Sequence, residues 1–268
     1  MNRIDAALSS LRESSQKAFV AYVCAGDPDL PTTLEIVRVL ESCGVDIIEL
    51  GLPFSDPLAD GIVNQMAAGR ALGSGTTTVG VLGMIKQIRE FSQIPLVLFT
   101  YLNPVYAYGF EKFHSDAAAA GADGVLLLDL PADEQVCNSE LPAQHNLRRI
   151  GLIAPTTPPE RAKKIATQAE GFIYYISREG VTGAQVALAE NLAAQSAAIM
   201  AVSKVPVCVG FGISTPEQAA AVTAAADGVV VGSAIVDVIA QHGRDAALAE
   251  KLRAFVRPLV AAAKGEPA

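Results

Sequence analysis

Short apolar runs recur along the chain, and each is followed by a polar turn and then by a longer stretch of helical character. Eight such runs are present, and most are unbroken in Val, Ile and Leu, which is typical of parallel strands that are covered on both faces. We therefore predict strands at Phe19–Val23, Asp46–Leu50, Leu96–Phe99, Gly124–Leu128, Arg149–Ile153, Phe172–Ile176, Val207–Val209 and Gly228–Val231.

The turns between these runs are of two kinds. Helical stretches end in CGVDII, AGADGVLLL and AADGVVV, which lead at once into a strand. The opposite strand ends carry longer polar loops, namely AGDPD, GLPFSDP, LDLP, APTTPP, SREGVTG, GFGIS and GSAI. Eight consecutive βα units favour closure, so we predict an α/β fold: a single (β/α)8 TIM barrel over residues 1–268. An open doubly wound sheet is the alternative.

The amphipathic start, MNRIDAALSSLRESSQK, predicts an extra N-terminal helix.

Composition narrows the function classes. The chain has 268 residues and a net charge of −8, which opposes binding to a nucleic acid. It shows neither an apolar run of the roughly 18 residues that a membrane span needs nor a secretory signal, so we expect a cytoplasmic protein without a membrane partner. We expect free thiols and no metal, because the cysteines and histidines are scattered: Cys24, Cys43, Cys137, Cys208, His114, His145 and His242.

One predicted strand carries an acidic side chain. Because side chains alternate along a strand, Glu49 shares one face with Val45 and Ile47. A carboxylate among aliphatic groups is costly to ionise, which favours a role as a proton carrier. The alternative is a solvated Glu at the strand end, or one paired with Lys or Arg.

The loop after this strand, GLPFSDPLADG, returns Asp56 and Asp60 over the strand end. The segment from Glu49 to Gly61 resembles the corresponding segment of tryptophan synthase alpha subunits. The resemblance extends from AGDPD to GSAI in the order of that family, and it covers essentially the whole chain. Cys24 and Ile62 depart from it, since the family has a hydroxyl residue and a proline at these positions.

The resemblance implies retro-aldol cleavage of indole-3-glycerol phosphate to indole and glyceraldehyde 3-phosphate. Glu49 matches the family's acid-base residue, which deprotonates a hydroxyl and protonates the indole ring. Asp60 matches the residue that hydrogen-bonds the indole N–H and stabilises positive charge on the ring. We expect Asp56 to cap a turn and to have no direct catalytic role.

Two Gly-rich loops near the end of the chain predict a phosphate site. Gly212 lies in GFGIS, between a strand and a helix, and Gly232 with Ser233 follows the next strand. Backbone N–H groups and helix N-termini bind anions, and the loops after the last two strands of such barrels commonly bind phosphate. The alternative is that these glycines only make tight turns.

The resemblance also assigns the remaining pocket residues. It places Tyr22 and Phe211 against the indole, Tyr175 near the reacting carboxylate, and Tyr101 with Asp129 along the site. The two glycines in the segment Ser177–Ala184 are typical of a mobile lid, in which Thr182 would lock against the Asp60 loop and Gly183 would donate to the phosphate. The aromatic residues could instead be ordinary packing, since such residues near strand ends are usually core.

The family implies a partner, a pyridoxal phosphate-dependent β subunit in an α2β2 assembly. This chain shows no pyridoxal-binding lysine motif, so we expect no cofactor here and expect the cofactor to belong to the partner. Two rival functions are another phosphate-binding barrel, such as an isomerase or phosphoribosyl enzyme, and a regulatory subunit that binds without turnover. The Glu49 and Asp60 arrangement argues against both.

Overall fold

The computed structural model describes residues 1–131, 134, 140–177, 185–210 and 212–266. Within this part of the chain, nine parallel strands form one sheet in the order β5-β4-β3-β2-β1-β9-β8-β7-β6. The strands are β1 (Ala18–Cys24), β2 (Ile47–Gly51), β3 (Leu96–Thr100), β4 (Gly124–Leu127), β5 (Arg148–Arg149), β6 (Gly151–Ile153), β7 (Ile173–Ile176), β8 (Val207–Gly210) and β9 (Gly228–Val231).

The sheet closes on itself, which confirms the predicted barrel. The first strand pairs with the last, because Ala21 of β1 lies opposite Val231 of β9. The two ends of the strand order, β5 and β6, are consecutive in the chain and are separated only by Ile150, whose N–H donates to the carbonyl of Val125 at 3.1 Å. Together β5 and β6 occupy the position of the fifth of eight barrel strands. An open doubly wound sheet is therefore wrong.

Helices alternate with the strands on the outside of the barrel. The described helices are α1 (Arg3–Glu13), α2 (Leu30–Ser42), α3 (Ile62–Gly73), α4 (Thr78–Arg89), α5 (Leu102–Tyr108), α6 (Phe110–Ala120), α7 (Glu140–Gln144), α8 (Pro159–Gln168), α9 (Gln185–Met200), α10 (Pro216–Ala225), α11 (Ser233–His242) and α12 (Leu248–Lys264).

Alternation along each strand divides the apolar side chains between two cores. One strand face packs against the helices, as Ile48 and Leu50 of β2 do. The other face fills the barrel, and this barrel-interior cluster includes Val20, Tyr22, Ile47, Val97, Phe99, Leu126, Ile150, Phe172, Cys208 and Val230. Val45 was predicted to share one face with Ile47 but lies in the helix-facing core, because it precedes β2 and the alternation begins only at Ile47.

The predicted N-terminal helix is present as α1, and it closes the lower end of the barrel. Ile4, Leu8 and Leu11 recur at helical spacing and pack into the barrel-interior cluster. Arg148 of β5 holds this helix through two contacts to the carboxylate of Asp5, at 2.9 and 2.6 Å. The helix α1 thereby separates this end of the barrel interior from water. The loops with the candidate site residues lie at the opposite end, where the strands terminate.

Asn2 should contribute strongly to this closure. Its Oδ1 accepts from the N–H of Ile4 at 2.8 Å, and its Nδ2 donates to the carbonyls of Asp123 and Asn146 at 2.8 and 2.7 Å. Asn2→Ala removes a helix cap and the donor to two carbonyls, so we expect the free energy of unfolding in urea to fall by about 2–4 kcal/mol. The exposed Ser9→Ala control on the same helix should change it by less than about 0.5 kcal/mol. Equal values for the two variants would contradict this role.

Candidate active site

Glu49 lies inside the barrel. It is in the middle of β2, opposite Tyr22 in the register with β1, and it has no exposed surface. Among the residues that the structure describes, neither carboxyl oxygen has a hydrogen-bond partner. Within this part of the chain the side chain has no cation or donor to stabilise its charged form, which contradicts the alternative of a solvated or ion-paired Glu.

Burial has a large effect on the acidity of this group. Loss of hydration raises the pKa of Glu49 from 4.5 to about 8, with no opposing contribution. The carboxyl group is consequently protonated at neutral pH. Desolvated carboxylic acids of this kind serve as general acids, because they hold a proton that a surface carboxylate would have released.

Asp60 is held in a different way. The hydroxyl of Tyr101 donates to its Oδ2 at 2.8 Å. Burial raises the pKa of Asp60, while the side chains of Tyr101 and Asn64 lower it. Tyr101 also accepts from the N–H of Ala59 at 3.0 Å, so it fixes the loop together with the carboxylate. Asp56 is exposed and accepts from the hydroxyl of Ser55 at 2.7 Å.

A buried ion pair fixes the helix that follows this loop. Arg70 of α3 donates Nε and Nη2 to the two carboxylate oxygens of Asp27, each at 2.7 Å. Asp27 is 1% exposed and belongs to the AGDPD loop after β1. Two planar groups that meet through two bonds have one favoured orientation, so this pair sets the position of α3 against the barrel mouth.

Tyr22 lies in the barrel interior, as a residue that contacts a bound ring must. Its ring meets that of Phe99 edge-on, with 5.0 Å between centroids. A Cβ at residue 51 would lie 2.3 Å from the Tyr22 hydroxyl oxygen, so this ring position requires Gly51. Burial, and then the nearby acidic groups, raises the pKa of Tyr22, which keeps the phenol neutral.

The structure does not bring Tyr175 to the carboxylates. Tyr175 packs in the helix-facing core, and its hydroxyl donates to Oε1 of Gln195 on α9. Its neighbour Tyr174 packs against the barrel-interior cluster instead, and burial followed by the charges of Glu49 and Asp60 raises its pKa. The physical reason is strand alternation: Phe172 and Tyr174 share the inner face, and Tyr175 lies on the outer one.

Tyr174 was not predicted from the sequence as a site residue, although the alternation along β7 indicates that it faces the barrel interior. Its ring also depends on a glycine, because a Cβ at Gly210 would lie 2.8 Å from the Tyr174 ring. Asn64 was missed as well, and nothing in the sequence distinguishes it from a solvated Asn in the first turn of a helix.

Asp129 supports a neighbouring loop. It is exposed, and its Oδ1 accepts from the N–H of Leu102 at 2.7 Å, at the start of α5. The same segment carries Tyr101, so Asp129 contributes to the position of the residue that holds Asp60.

The two candidate phosphate loops differ in how their helices begin. In α10, Thr215 and Gln218 form a capping box, and the Gln218 side chain also accepts from Ser214. In α11, which begins at Ser233, Gly232 is the N-cap and there is no side-chain cap. The first N–H groups of α11 therefore remain available to an anion. Gly212 has a φ of +64°, a left-handed conformation that favours glycine.

Several expected residues lie outside the described part of the chain. These are Thr182 and Gly183 of the lid segment, Phe211 and Cys137. Cys24 and Ile62, which depart from the family pattern, are described. Cys24 is a buried free thiol whose pKa is raised by burial, and Ile62 is 68% exposed at the start of α3.

Among the residues that the structure describes, no group of three or more His, Cys, Asp or Glu side chains is arranged to hold a metal ion. In the same part of the chain, no helix is long and apolar enough to cross a membrane.

Comparison with known proteins gives a consistent result. A family model described as "Tryptophan synthase alpha chain" matches residues 8–264. The tryptophan synthase alpha chain of Opitutus terrae is 48% identical over 98% of this chain and 100% of that protein. Tryptophan synthase subunit alpha from Legionella pneumophila superposes with a TM-score of 0.91 at 38% identity, covering 99% of both chains. A chain from the tryptophan synthase complex of Pyrococcus furiosus has a TM-score of 0.82 at 35% identity, covering 91% of this chain and 98% of that one.

The burial of Glu49 predicts a pH-dependent stability. Between its ordinary pKa and a folded pKa of about 8, the folded chain keeps a proton that the unfolded chain has released. The contribution of Glu49 to the free energy of unfolding is therefore fully present below pH 4.5 and is lost as the pH rises towards about 8. Relative to Glu49→Gln, the free energy of unfolding should fall by about 1.4 kcal/mol per pH unit across this window. Urea unfolding at pH 5, 6, 7 and 8 measures the difference, and parallel curves for the two proteins would contradict it.

Proposed function

Because the chain belongs to the tryptophan synthase alpha chain family, we propose that it cleaves indole-3-glycerol phosphate to indole and glyceraldehyde 3-phosphate in L-tryptophan biosynthesis. Membership of this family makes the chain a lyase. The finer assignment, a carbon–carbon lyase of the retro-aldol type, rests on one observation: a buried Glu49 that has no partner among the described residues and a pKa of about 8, in a site where Tyr101 anchors Asp60.

The reaction needs a proton at one carbon and the removal of a proton from a hydroxyl. The bond that breaks joins C3 of the indole to the first carbon of the glycerol chain, which carries a hydroxyl group. Indole is a poor leaving group until C3 is protonated, because its electrons would otherwise remain on carbon. Cleavage then converts the hydroxyl into the aldehyde of glyceraldehyde 3-phosphate.

Glu49 performs both transfers in this proposal. Its protonated carboxyl group, favoured by burial, gives a proton to C3, and the resulting carboxylate then takes the hydroxyl proton as the carbon–carbon bond breaks. The electron pair of that bond returns to the indole ring and neutralises it. Glu49 ends protonated, as it began, so no external acid or base is consumed.

Asp60 stabilises the intermediate charge. Protonation at C3 places positive charge on the ring nitrogen, and an ionised carboxylate that accepts the N–H stabilises this charge more than it stabilises neutral indole. The bond from Tyr101 orients the carboxylate before substrate arrives. Bound substrate expels water from the site. This strengthens the interaction between the carboxylate and the charged ring, because water would weaken it.

The remaining site residues bind substrate. Tyr22 and Tyr174 contact the indole from inside the barrel, with Phe211, while Tyr101 and Asp129 shape the wall. We assign the phosphate to Gly212, Gly232 and Ser233, supported by the uncapped first turn of α11. Gly183 and Thr182 complete the phosphate site and the lid. Tyr175 is not proposed as a contact, because it faces the helices.

The partner in this proposal is a β subunit in an α2β2 assembly, which carries pyridoxal phosphate and consumes the indole. Exposed apolar side chains on the loop face support a docking surface there: Leu58 is 90% exposed and Tyr106 is 60% exposed. Such side chains are costly in water and are typical of surfaces that a partner covers.

Purified chain should convert indole-3-glycerol phosphate to indole, and two substitutions should nearly abolish this. Glu49→Gln removes the proton donor and should lower kcat by about a hundredfold or more. Asp60→Asn removes the charge that stabilises the ring and should lower kcat by a similar factor. Indole fluorescence measures the product, and the chain has no Trp to obscure it.

Asp56→Asn is the matched control, because Asp56 is an exposed carboxylate on the same loop. Measured on the isolated chain, it should retain kcat within about threefold, as surface substitutions usually do. An unchanged rate in Glu49→Gln would exclude the proposed acid-base role. Wild-type chain that binds but never cleaves this substrate would favour the regulatory alternative.

A second arm of the same assay tests the partner. Addition of a pyridoxal phosphate-dependent tryptophan synthase β subunit should accelerate cleavage, because lid closure and partner binding are coupled equilibria. Fast cleavage that is unaffected by the β subunit would indicate a free-standing lyase instead.

A further inference from the structure

The hydroxyl group of Tyr22 has no function in the chemistry described so far, in which only the ring of this residue contacts the indole. Among the described residues, this hydroxyl makes no hydrogen bond. Tyr22 is 7% exposed, so the side chain is also largely removed from bulk water. A buried tyrosine usually has a hydrogen-bond partner for its hydroxyl. We therefore look for the partner of Tyr22 in a bound molecule.

The ring of Tyr22 is fixed on three sides. It meets Phe99 edge-on, and a Cβ at Gly232 would lie 3.3 Å from the Tyr22 Cβ. At the far end of the ring, a Cβ at Gly51 would lie 2.3 Å from the hydroxyl oxygen, Oη. The side chain thus extends from the end of β9, where the phosphate is proposed to bind, to the end of β2. Because the ring is held at both ends, little conformational freedom is lost when its hydroxyl binds a ligand.

The position of Oη relative to Glu49 follows from β2. Ile47 and Glu49 point into the barrel, and alternation places Gly51 on the same face. Gly51 has no side chain, and Oη of Tyr22 lies close to where its Cβ would be. Successive positions on one face of a strand are about 6.6 Å apart, so Oη lies about one such step from Glu49 towards the barrel mouth.

This separation suits a single oxygen atom between the two groups. The carboxyl oxygens of Glu49 do not bond to Oη, since neither has a partner among the described residues. An oxygen atom that bonds to both groups would lie about 2.7–2.8 Å from each. The space between Tyr22 and Glu49 is therefore a candidate position for one oxygen of a ligand.

The proposed substrate has such an oxygen. Its glycerol chain joins the indole ring to the phosphate, so it must pass along the side chain of Tyr22, which lies between the two proposed subsites. The first oxygen on this chain belongs to the hydroxyl next to the ring, which Glu49 deprotonates. Burial raises the pKa of Tyr22, so the phenol keeps its proton and can donate it to a hydrogen bond.

We propose that the Tyr22 hydroxyl donates a hydrogen bond to the glycerol oxygen that Glu49 deprotonates, and that Tyr22 thereby selects substrates with a hydroxyl next to the indole ring. This inference rests on the proposed function, since it names a group of that substrate. As the proton leaves for Glu49, the oxygen gains negative charge, and a fixed donor stabilises this charge more than it stabilises the neutral hydroxyl. The proton of Tyr22 stays on the phenol throughout.

Tyr22→Phe tests the proposal, because it removes the donor and keeps the ring. Binding is measured by calorimetry in chain that also carries Asp60→Asn, which slows turnover and leaves Glu49 in place. Tyr22→Phe should raise the Kd of indole-3-glycerol phosphate about five- to tenfold, because one hydrogen bond is lost. The Kd of an analogue in which hydrogen replaces only the hydroxyl next to the ring should change by less than about twofold. Equal changes for the two ligands would overturn the proposal.

Tyr108→Phe is the matched control. The hydroxyl of Tyr108 donates to Oδ2 of Asp116 at 2.6 Å, and this side chain packs against the helix-facing core. Its substitution should leave the affinity for both ligands unchanged.

The midpoint of urea unfolding shows whether the Tyr22 hydroxyl has a structural role instead. Tyr22→Phe should unfold at an equal or higher urea concentration, because no hydrogen bond within the described part of the chain is lost. A lower midpoint together with unchanged affinity for both ligands would overturn the proposal.

Cleavage separates failure of this inference from failure of the proposed function. In chain with Asp60 intact, Tyr22→Phe should lower kcat/KM about tenfold or more, while the affinity for indole itself stays at the wild-type value. Should wild-type chain bind indole-3-glycerol phosphate without cleaving it, a selective loss of affinity in Tyr22→Phe would still support the Tyr22 contact. Cleavage by wild-type chain with the same kcat/KM in Tyr22→Phe would overturn the contact and leave the proposed function standing.

Discussion

Burial of the Glu49 carboxyl group makes the strongest demand on the fold. Glu49 lies in the barrel with no exposed surface and with no cation or donor among the described residues, so its neutral form is favoured up to a pH of about 8. A surface carboxylate could not hold a proton at neutral pH. The interior must therefore stay closed to water on every side but one, and several features of the chain serve that requirement.

Closure operates at two levels. In the described sheet, pairing of β1 with β9 and the continuity of β5 with β6 through Ile150 close the barrel. The helix α1 covers the lower end with Ile4, Leu8 and Leu11. At the open end the polarity changes. Asp60 is held by hydrogen bonds there, while the Asp27–Arg70 pair fixes the adjacent helix. The two carboxyl groups thus differ in environment, because Asp60 accepts a hydrogen bond from Tyr101 while Glu49 has no partner among the described residues.

Much of this arrangement was accessible from sequence. The eight strands, their closure and the N-terminal helix followed from apolar runs and turn types, which report burial directly. Alternation predicted that Glu49 shares a face with Ile47, and the structure shows that this face is the inner one. The same rule, applied to Phe172 and Tyr174, would have corrected the assignment of Tyr175. Alternation failed at Val45, because the strand begins two residues later. The hydrogen bond between Arg70 and Asp27 could not be predicted, since it joins residues 43 positions apart whose meeting depends on how α3 leaves the loop.

The protonation state of Glu49 at neutral pH can be measured directly. Carbon-13 NMR of chain labelled at the Glu carboxyl groups, compared with Glu49→Gln to assign the signal, follows this titration without substrate or partner. We expect one Glu carboxyl resonance to titrate near pH 8 and to be missing from the spectrum of the variant. A Glu49 resonance that titrates near 4.5, the ordinary value, would show that water or a donor reaches the group, and would contradict the proposed acid.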